Sequence, residues 1–187
     1  MARRYIAWAG TLTALIAFVV SAFLIGLQLA GNFHEVIPGE LYRSAQPSAA
    51  QIERYVRQYG IRTIVNLRGP SSRPWYQSEV ATAERLDVRH FDFGMSSSRV
   101  LTLAKTKELV VLLRDAPKPI LIHCRSGADR TGLVSLIYLH QIAGVDEEIA
   151  ERQLSIRFGH VGIPFLSPAF AMDESWEALE QALGFPS

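Results

Sequence analysis

Twenty-five consecutive residues, Ile6 to Ala30 (IAWAGTLTALIAFVVSAFLIGLQLA), carry no charge, and this run divides the chain before any other feature is weighed. As a helix rising about 1.5 Å per residue it reaches about 37 Å, enough to cross a hydrocarbon layer of about 30 Å with some tilt. Trp8, near one end, suits the interfacial aromatic belt. A soluble buried helix of this length without a polar face would be unusual. The rival is a cleaved signal peptide, which also pairs a basic start with an apolar run. Its cleavage site needs small residues at both recognition positions. Gln28-Leu29-Ala30 matches poorly, and Val20-Ser21-Ala22 would end the apolar run early. The expected organisation is a cytoplasmic tip and transmembrane helix or uncleaved signal anchor (1–30), a juxtamembrane link (31–39) and one domain (40–187).

Arg3 and Arg4 precede the run, and the first basic residue after it is Arg43. The amino terminus is therefore expected inside and the domain outside the cytoplasmic membrane, on the periplasmic side. Beyond residue 30 there are 17 basic and 18 acidic residues, a balance that argues against a nucleic-acid partner. The single cysteine, Cys124, excludes an intramolecular disulfide and a multi-cysteine metal site.

Along the domain, ELYRSAQP (40–47) is a brief apolar stretch ended by a polar turn, with Pro47 suited to a first helical position. Ile52, Tyr55, Val56 and Tyr59 recur at helical spacing before Gly60. IRTIVNL (61–67) predicts a strand, 75–86 a helix, 88–91 a short strand and DFGMSSS (92–98) a loop. A helix over 99–114 would carry Val100, Leu103, Leu109, Val110 and Leu113 on its apolar face. The wholly apolar PILIH (119–123) suits a central parallel strand, and TGLVSLIYLHQIAG an apolar helix ended by Gly144. Acidic residues 146–148 open another helix to about Arg157. A loop (159–169) leads to a last helix with Met172, Trp176, Leu179 and Leu183 at core spacing. The alternation argues for an α/β domain.

Between the apolar strand and the apolar helix lies His123-Cys124-Arg125-Ser126-Gly127-Ala128-Asp129-Arg130-Thr131. A loop in that position can curl its backbone N–H groups around an anion, and the helix start adds positive potential. Arg130 offers a rigid fork for two oxygens of one phosphate, and Gly127 permits a tight turn.

The segment resembles the signature of the cysteine-dependent protein tyrosine and dual-specificity phosphatase superfamily: His-Cys, five residues, Arg, then Ser or Thr. The resemblance extends over roughly residues 36–158, and ELYRSAQP and IRTIVNLR are similar to bacterial and plant-type atypical members. It implies a three-layer domain, a central sheet flanked by helices, and a two-step reaction that needs neither metal nor cofactor. Cys124 would attack phosphorus. Arg125, Ser126, Gly127, Ala128, Asp129 and Arg130 would form the phosphate-binding loop, Thr131 would assist departure of the sulfur, and His123 would order the loop from below.

The family's general acid is an aspartate some thirty residues before the cysteine. Asp92 stands 32 residues before Cys124, after a predicted strand. Asp129 competes, because lipid-directed members with Asp-Arg-Thr at this place are thought to use that aspartate. Arg43 and Arg68 follow predicted strands and are supporting candidates, with a surface salt bridge as the alternative for each. Arg125 either meets a second acidic group on the substrate or faces solvent. The expected function is that of a protein tyrosine/dual-specificity phosphatase. The alternatives are a phospholipid or phosphoinositide phosphatase and a membrane-tethered module that binds phosphate without turnover.

Overall fold

The computed structural model describes residues 2–183, and before Thr11 only the side chain of Trp8. The charged groups of Arg3 and Arg4, on which the expected orientation rests, lie outside the described residues. The uncharged run forms α1 (Ala2–Leu29), within which Thr11–Leu29 has a mean hydropathy of 2.3. It is, among the described residues, the one helix long and apolar enough to cross a membrane, a property that a signal sequence shares.

The domain contains β1 (His34–Ile37), β2 (Leu41–Ser44), α2 (Ala49–Tyr59), β3 (Thr63–Asn66), α3 (Pro74–Arg85), β4 (Arg89–Asp92), α4 (Leu103–Asp115), β5 (Ile120–His123), α5 (Asp129–Gln141), α6 (Glu147–Glu151) and α7 (Ala171–Leu183). The sheet order is β1-β2-β5-β3-β4; β1 and β2 are antiparallel and every other pair is parallel. Successive strand residues face opposite ways. Leu41, Val65, Ile120 and Ile122 thus join the core under α4, α5 and α7, whereas Tyr42, Ile64 and Leu121 pack with Ile52 and Tyr55 of α2 and Ala83 of α3. A mixed central sheet is flanked by helices on both faces. The wholly buried β5 lies at its centre, as the apolar PILIH run predicts.

Four local differences from the sequence reading have identifiable causes. Residues 31–39 are not a bare link, since His34–Ile37 pairs with β2. The cap of α2 is Ser48, whose side chain exchanges hydrogen bonds with Gln51, leaving Pro47 outside the helix; Gly60 closes it at φ +66°. The Thr102 hydroxyl accepts from Lys105 N–H and starts α4 there, so Val100 precedes the helix and is exposed, while Leu101 is buried. Helix α6 stops at Glu151 instead of near Arg157. There the chain turns against Gly132 of α5, where an added Cβ would come within 2.9 Å of the Gln153 carbonyl.

Candidate active site

Register brings the site together. Ser44 and Asn66 both pair with His123 across β5, and Asp92 pairs with Asn66. Strands β2, β5, β3 and β4 therefore end level, and the loops that follow share one edge, the carboxyl edge of the parallel strands where α/β sheets bind ligands.

The Cys124–Ala128 loop is shaped from behind by Arg43. This side chain is fully buried. Its Nη2 donates to the carbonyls of Gly127 (2.9 Å) and Ala128 (3.0 Å) and to Thr131 Oγ1 (3.3 Å); its Nη1 donates to the backbone and side-chain oxygens of Gln153 at 3.0 and 2.8 Å. Its guanidinium also lies 4.2 Å from the Phe158 ring centroid. Burial lowers its pKa to about 9, opposed by attraction to Cys124 and Asp129. The surface salt bridge considered for Arg43 is thus replaced by an interior brace. Gly127 is required where it stands: its φ is +70°, and a Cβ would lie 2.5 Å from the Ala45 nitrogen.

With those carbonyls held on the far side, Gly127 N–H points at Cys124 and lies 3.3 Å from Sγ. Thr131 Oγ1 is 3.9 Å from the same sulfur and also donates to the Ala128 carbonyl. Arg130, in the first turn of α5, donates through Nη1 to the carbonyls of Leu67 and Met95, each at 3.3 Å, and its Nε is a buried donor without a partner. A turn whose backbone N–H faces the sulfur is thus followed at once by a helix start that carries a guanidinium with a free donor, an arrangement suited to a tetrahedral oxyanion. Ser126 and Ala128 complete the loop, and Arg125 is exposed on its rim.

Below the loop, His123 turns to the opposite face of the sheet, where its Nε2 meets Glu79 Oε1 at 3.0 Å. His90 reaches the same oxygen at 2.8 Å, and Gln46 donates to the other. Burial alone would raise the pKa of Glu79; the hydrogen bonds from His123 and His90 outweigh it and hold the carboxyl at about 2.

The two acid candidates sit differently. Asp92 is exposed at the end of β4, where Oδ1 accepts from Asn66 (2.7 Å) and Oδ2 from the Tyr76 hydroxyl (2.5 Å), a bond that raises Tyr76 to about 12. Asp129 Oδ1 is engaged at 2.9 Å by Nδ1 of His160. Arg68 lies over the Trp75 ring at 3.7 Å and donates to Gln46 Oε1 at 2.8 Å. Burial and then repulsion from Arg130 and Arg125 lower its pKa, which marks these three arginines as one cationic group.

Glu79, Tyr76, Asn66, Gln46 and His160 were not singled out from sequence. An acidic residue four positions before the core residue Ala83 is the one visible signal among them, and it fits a solvated helix face equally well.

The sequence profile of the tyrosine phosphatase family matches residues 25–152. The dual specificity protein phosphatase TpbA of Pseudomonas aeruginosa is 27% identical over 173 residues, which cover 82% of this chain and 74% of that protein. The inositol diphosphatase SIW14 of Saccharomyces cerevisiae is 30% identical over 106 residues, covering 54% of this chain and 36% of that protein. A crystal structure of TpbA in complex with pTyr is similar at a TM-score of 0.59 and 21% identity, covering 83% of this chain and 91% of its own. PTPMT1 is similar at a TM-score of 0.60 and 15% identity, covering 81% and 98%. At these identities the two structures show a shared fold.

Proposed function

The chain belongs to the tyrosine phosphatase family, and from that premise we propose that it hydrolyses phosphomonoesters through a phosphocysteine at Cys124, with phosphoprotein as its substrate class. The observation that carries this reading is the loop itself: Gly127 N–H lies 3.3 Å from Cys124 Sγ, and Arg130, in the helix turn that follows, keeps a buried Nε donor without a partner.

The sulfur attacks phosphorus in line, the S–P bond forms as the ester P–O bond breaks, and the departing oxygen takes a proton from an acid. Arg130 and the loop N–H groups hold the three equatorial oxygens, whose charge changes most during transfer. Water then attacks phosphorus, the acid's conjugate base accepts its proton, and the S–P electron pair returns to sulfur beside the Thr131 hydroxyl. Asp92 is taken as the acid because it is exposed at the end of β4, level with the loop, where Asn66 and Tyr76 hold its carboxylate, whereas Asp129 is only partly exposed and tied through Oδ1 to the buried His160. His123 and Arg43 position the loop, and Arg68 and Arg125 supply positive charge at the rim.

Helix α1 is read as an uncleaved anchor with its amino terminus inside and the domain outside the cytoplasmic membrane. A second substrate reading, a phosphorylated lipid head group, is favoured by one observation: Gln28, in the last turn of α1, donates to the Ser126 carbonyl at 3.0 Å. By name TpbA is a dual specificity protein phosphatase and SIW14 an inositol diphosphatase, so relatives of this chain differ in substrate, and the protein and lipid readings are put to the same test. Phosphate release by the full chain from an aryl phosphate, a phosphotyrosine peptide panel and phosphorylated lipids in vesicles tests the proposal. Turnover of the first two supports it, preference for the lipids transfers it to the second reading, and phosphate binding without release from any of them leaves a non-catalytic module.

A further inference from the structure

The segment Val161-Gly162-Ile163-Pro164-Phe165-Leu166 presents apolar side chains to solvent. Ile163 is 46% exposed, Leu166 79%, and Phe165 entirely so, with a φ of +63° that L residues seldom adopt. A fully exposed phenylalanine on strained backbone has no folding benefit to explain it. The residues from Val161 to Met172 carry no charge, and the strand ladders do not include them.

What this segment lies against follows from α1. A Cβ on Gly159 would stand 3.6 Å from Leu27, 3.7 Å from Leu24 and 3.7 Å from Ala128, so the last turns of α1 meet both the phosphate loop and the root of this segment. Asn32, 1% exposed, locks the junction, its Nδ2 donating to the carbonyls of Ser126 (2.9 Å) and Phe158 (2.8 Å). At the segment's other side, Phe165 and Leu166 share a cavity of about 420 Å³ with Ser98, whose loop also carries the Met95 carbonyl that Arg130 engages.

We infer that Val161–Leu166 inserts into the interfacial layer of the same lipid leaflet from which α1 emerges, seating the mouth of the phosphate loop at head-group level. The inference rests on reading α1 as an anchor. Leu24 and Leu27 belong to the uncharged run, which fixes Gly159 and the phosphate loop within a turn of the helix's exit. Six residues from Gly159 to Phe165 span at most about 20 Å, so the apolar tip stays near the bilayer surface. The exposed Arg125 and the half-buried Arg68 flank the mouth as cations suited to anionic head groups.

Full-length Cys124→Ser protein, carrying one new cysteine with an environment-sensitive fluorophore, is reconstituted in phosphatidylethanolamine/phosphatidylglycerol vesicles holding nitroxide lipids. The labelled positions are Phe165→Cys, Ala22→Cys in α1, and Asp115→Cys at the opposite end of the sheet. The inference predicts quenching at positions 165 and 22 and none at 115. Quenching at 22 without quenching at 165 overturns it and leaves the anchor standing. An unquenched position 22 overturns the anchor and the inference together. Equal quenching at 165 and 115 shows a domain with no preferred face, and overturns the inference alone.

Discussion

Nδ1 of His160 lies 2.9 Å from Asp129 and its Nε2 lies 3.0 Å from Asp173, so one ring, 4% exposed, joins the phosphate loop's last aspartate to α7. Burial would lower the pKa of this ring, but the two carboxylates outweigh it and raise it to about 9. Its folded pKa thus exceeds the ordinary 6.5. The stabilisation is fully present below pH 6.5 and is lost as pH rises through about 9. Urea midpoints should fall across that window, by at most about 3 kcal/mol of stability. His160→Gln should remove most of that slope; an unchanged slope would show that the pair is not formed.

The same contact separates the two acids. Asp92→Asn should cost little with an aryl phosphate whose leaving group is already good, and about a hundredfold with an alkyl phosphate, whose departing oxygen needs the proton. Asp129→Asn should cost both substrates similarly, because it disturbs the loop's tie to His160. Steady-state kcat on the two substrates checks this, and the reverse pattern moves the acid to Asp129.

Arg43→Met keeps the stem and removes the fork. Three carbonyl or hydroxyl oxygens of the loop region and the two oxygens of Gln153 lose donors within a buried site, at a cost of about 3 kcal/mol. The expected result is a lower urea midpoint with activity reduced even where the protein is fully folded. A variant as stable and active as the parent would show that the brace is dispensable.

Arg130→Lys retains a charge but not the planar fork. The fall in kcat should exceed about tenfold, or about 1.4 kcal/mol at the transition state. A smaller loss would contradict bidentate contact with phosphate.

The Cys124–Ala128 loop was legible because its information is local: an apolar strand, a five-residue turn and an apolar helix lie next to one another in the chain. Asp92 could be placed by spacing, and the parallel register that levels β4 with β5 is what makes spacing informative. Arg43 is expected after a strand but lies within β2, and its burial depends on which face of β2 meets α5, which follows from sheet order. The partners Glu79 and His123 are 44 residues apart, and Asp129 and His160 are 31 apart; no local pattern joins them. His34–Ile37 was missed as a strand because four residues beside an uncharged helix carry no alternation of their own. The shared edge of Ser44, His123, Asn66 and Asp92 is a tertiary fact.

The covalent intermediate is the central claim. Full-length protein turning over an aryl phosphate, acid-quenched in the first turnovers and analysed by intact mass and peptide mapping, should carry one added phosphoryl group on Cys124, and the Cys124→Ser variant should carry none and release no phosphate. Steady turnover with no phosphorylated species, or undiminished turnover by Cys124→Ser, would contradict it.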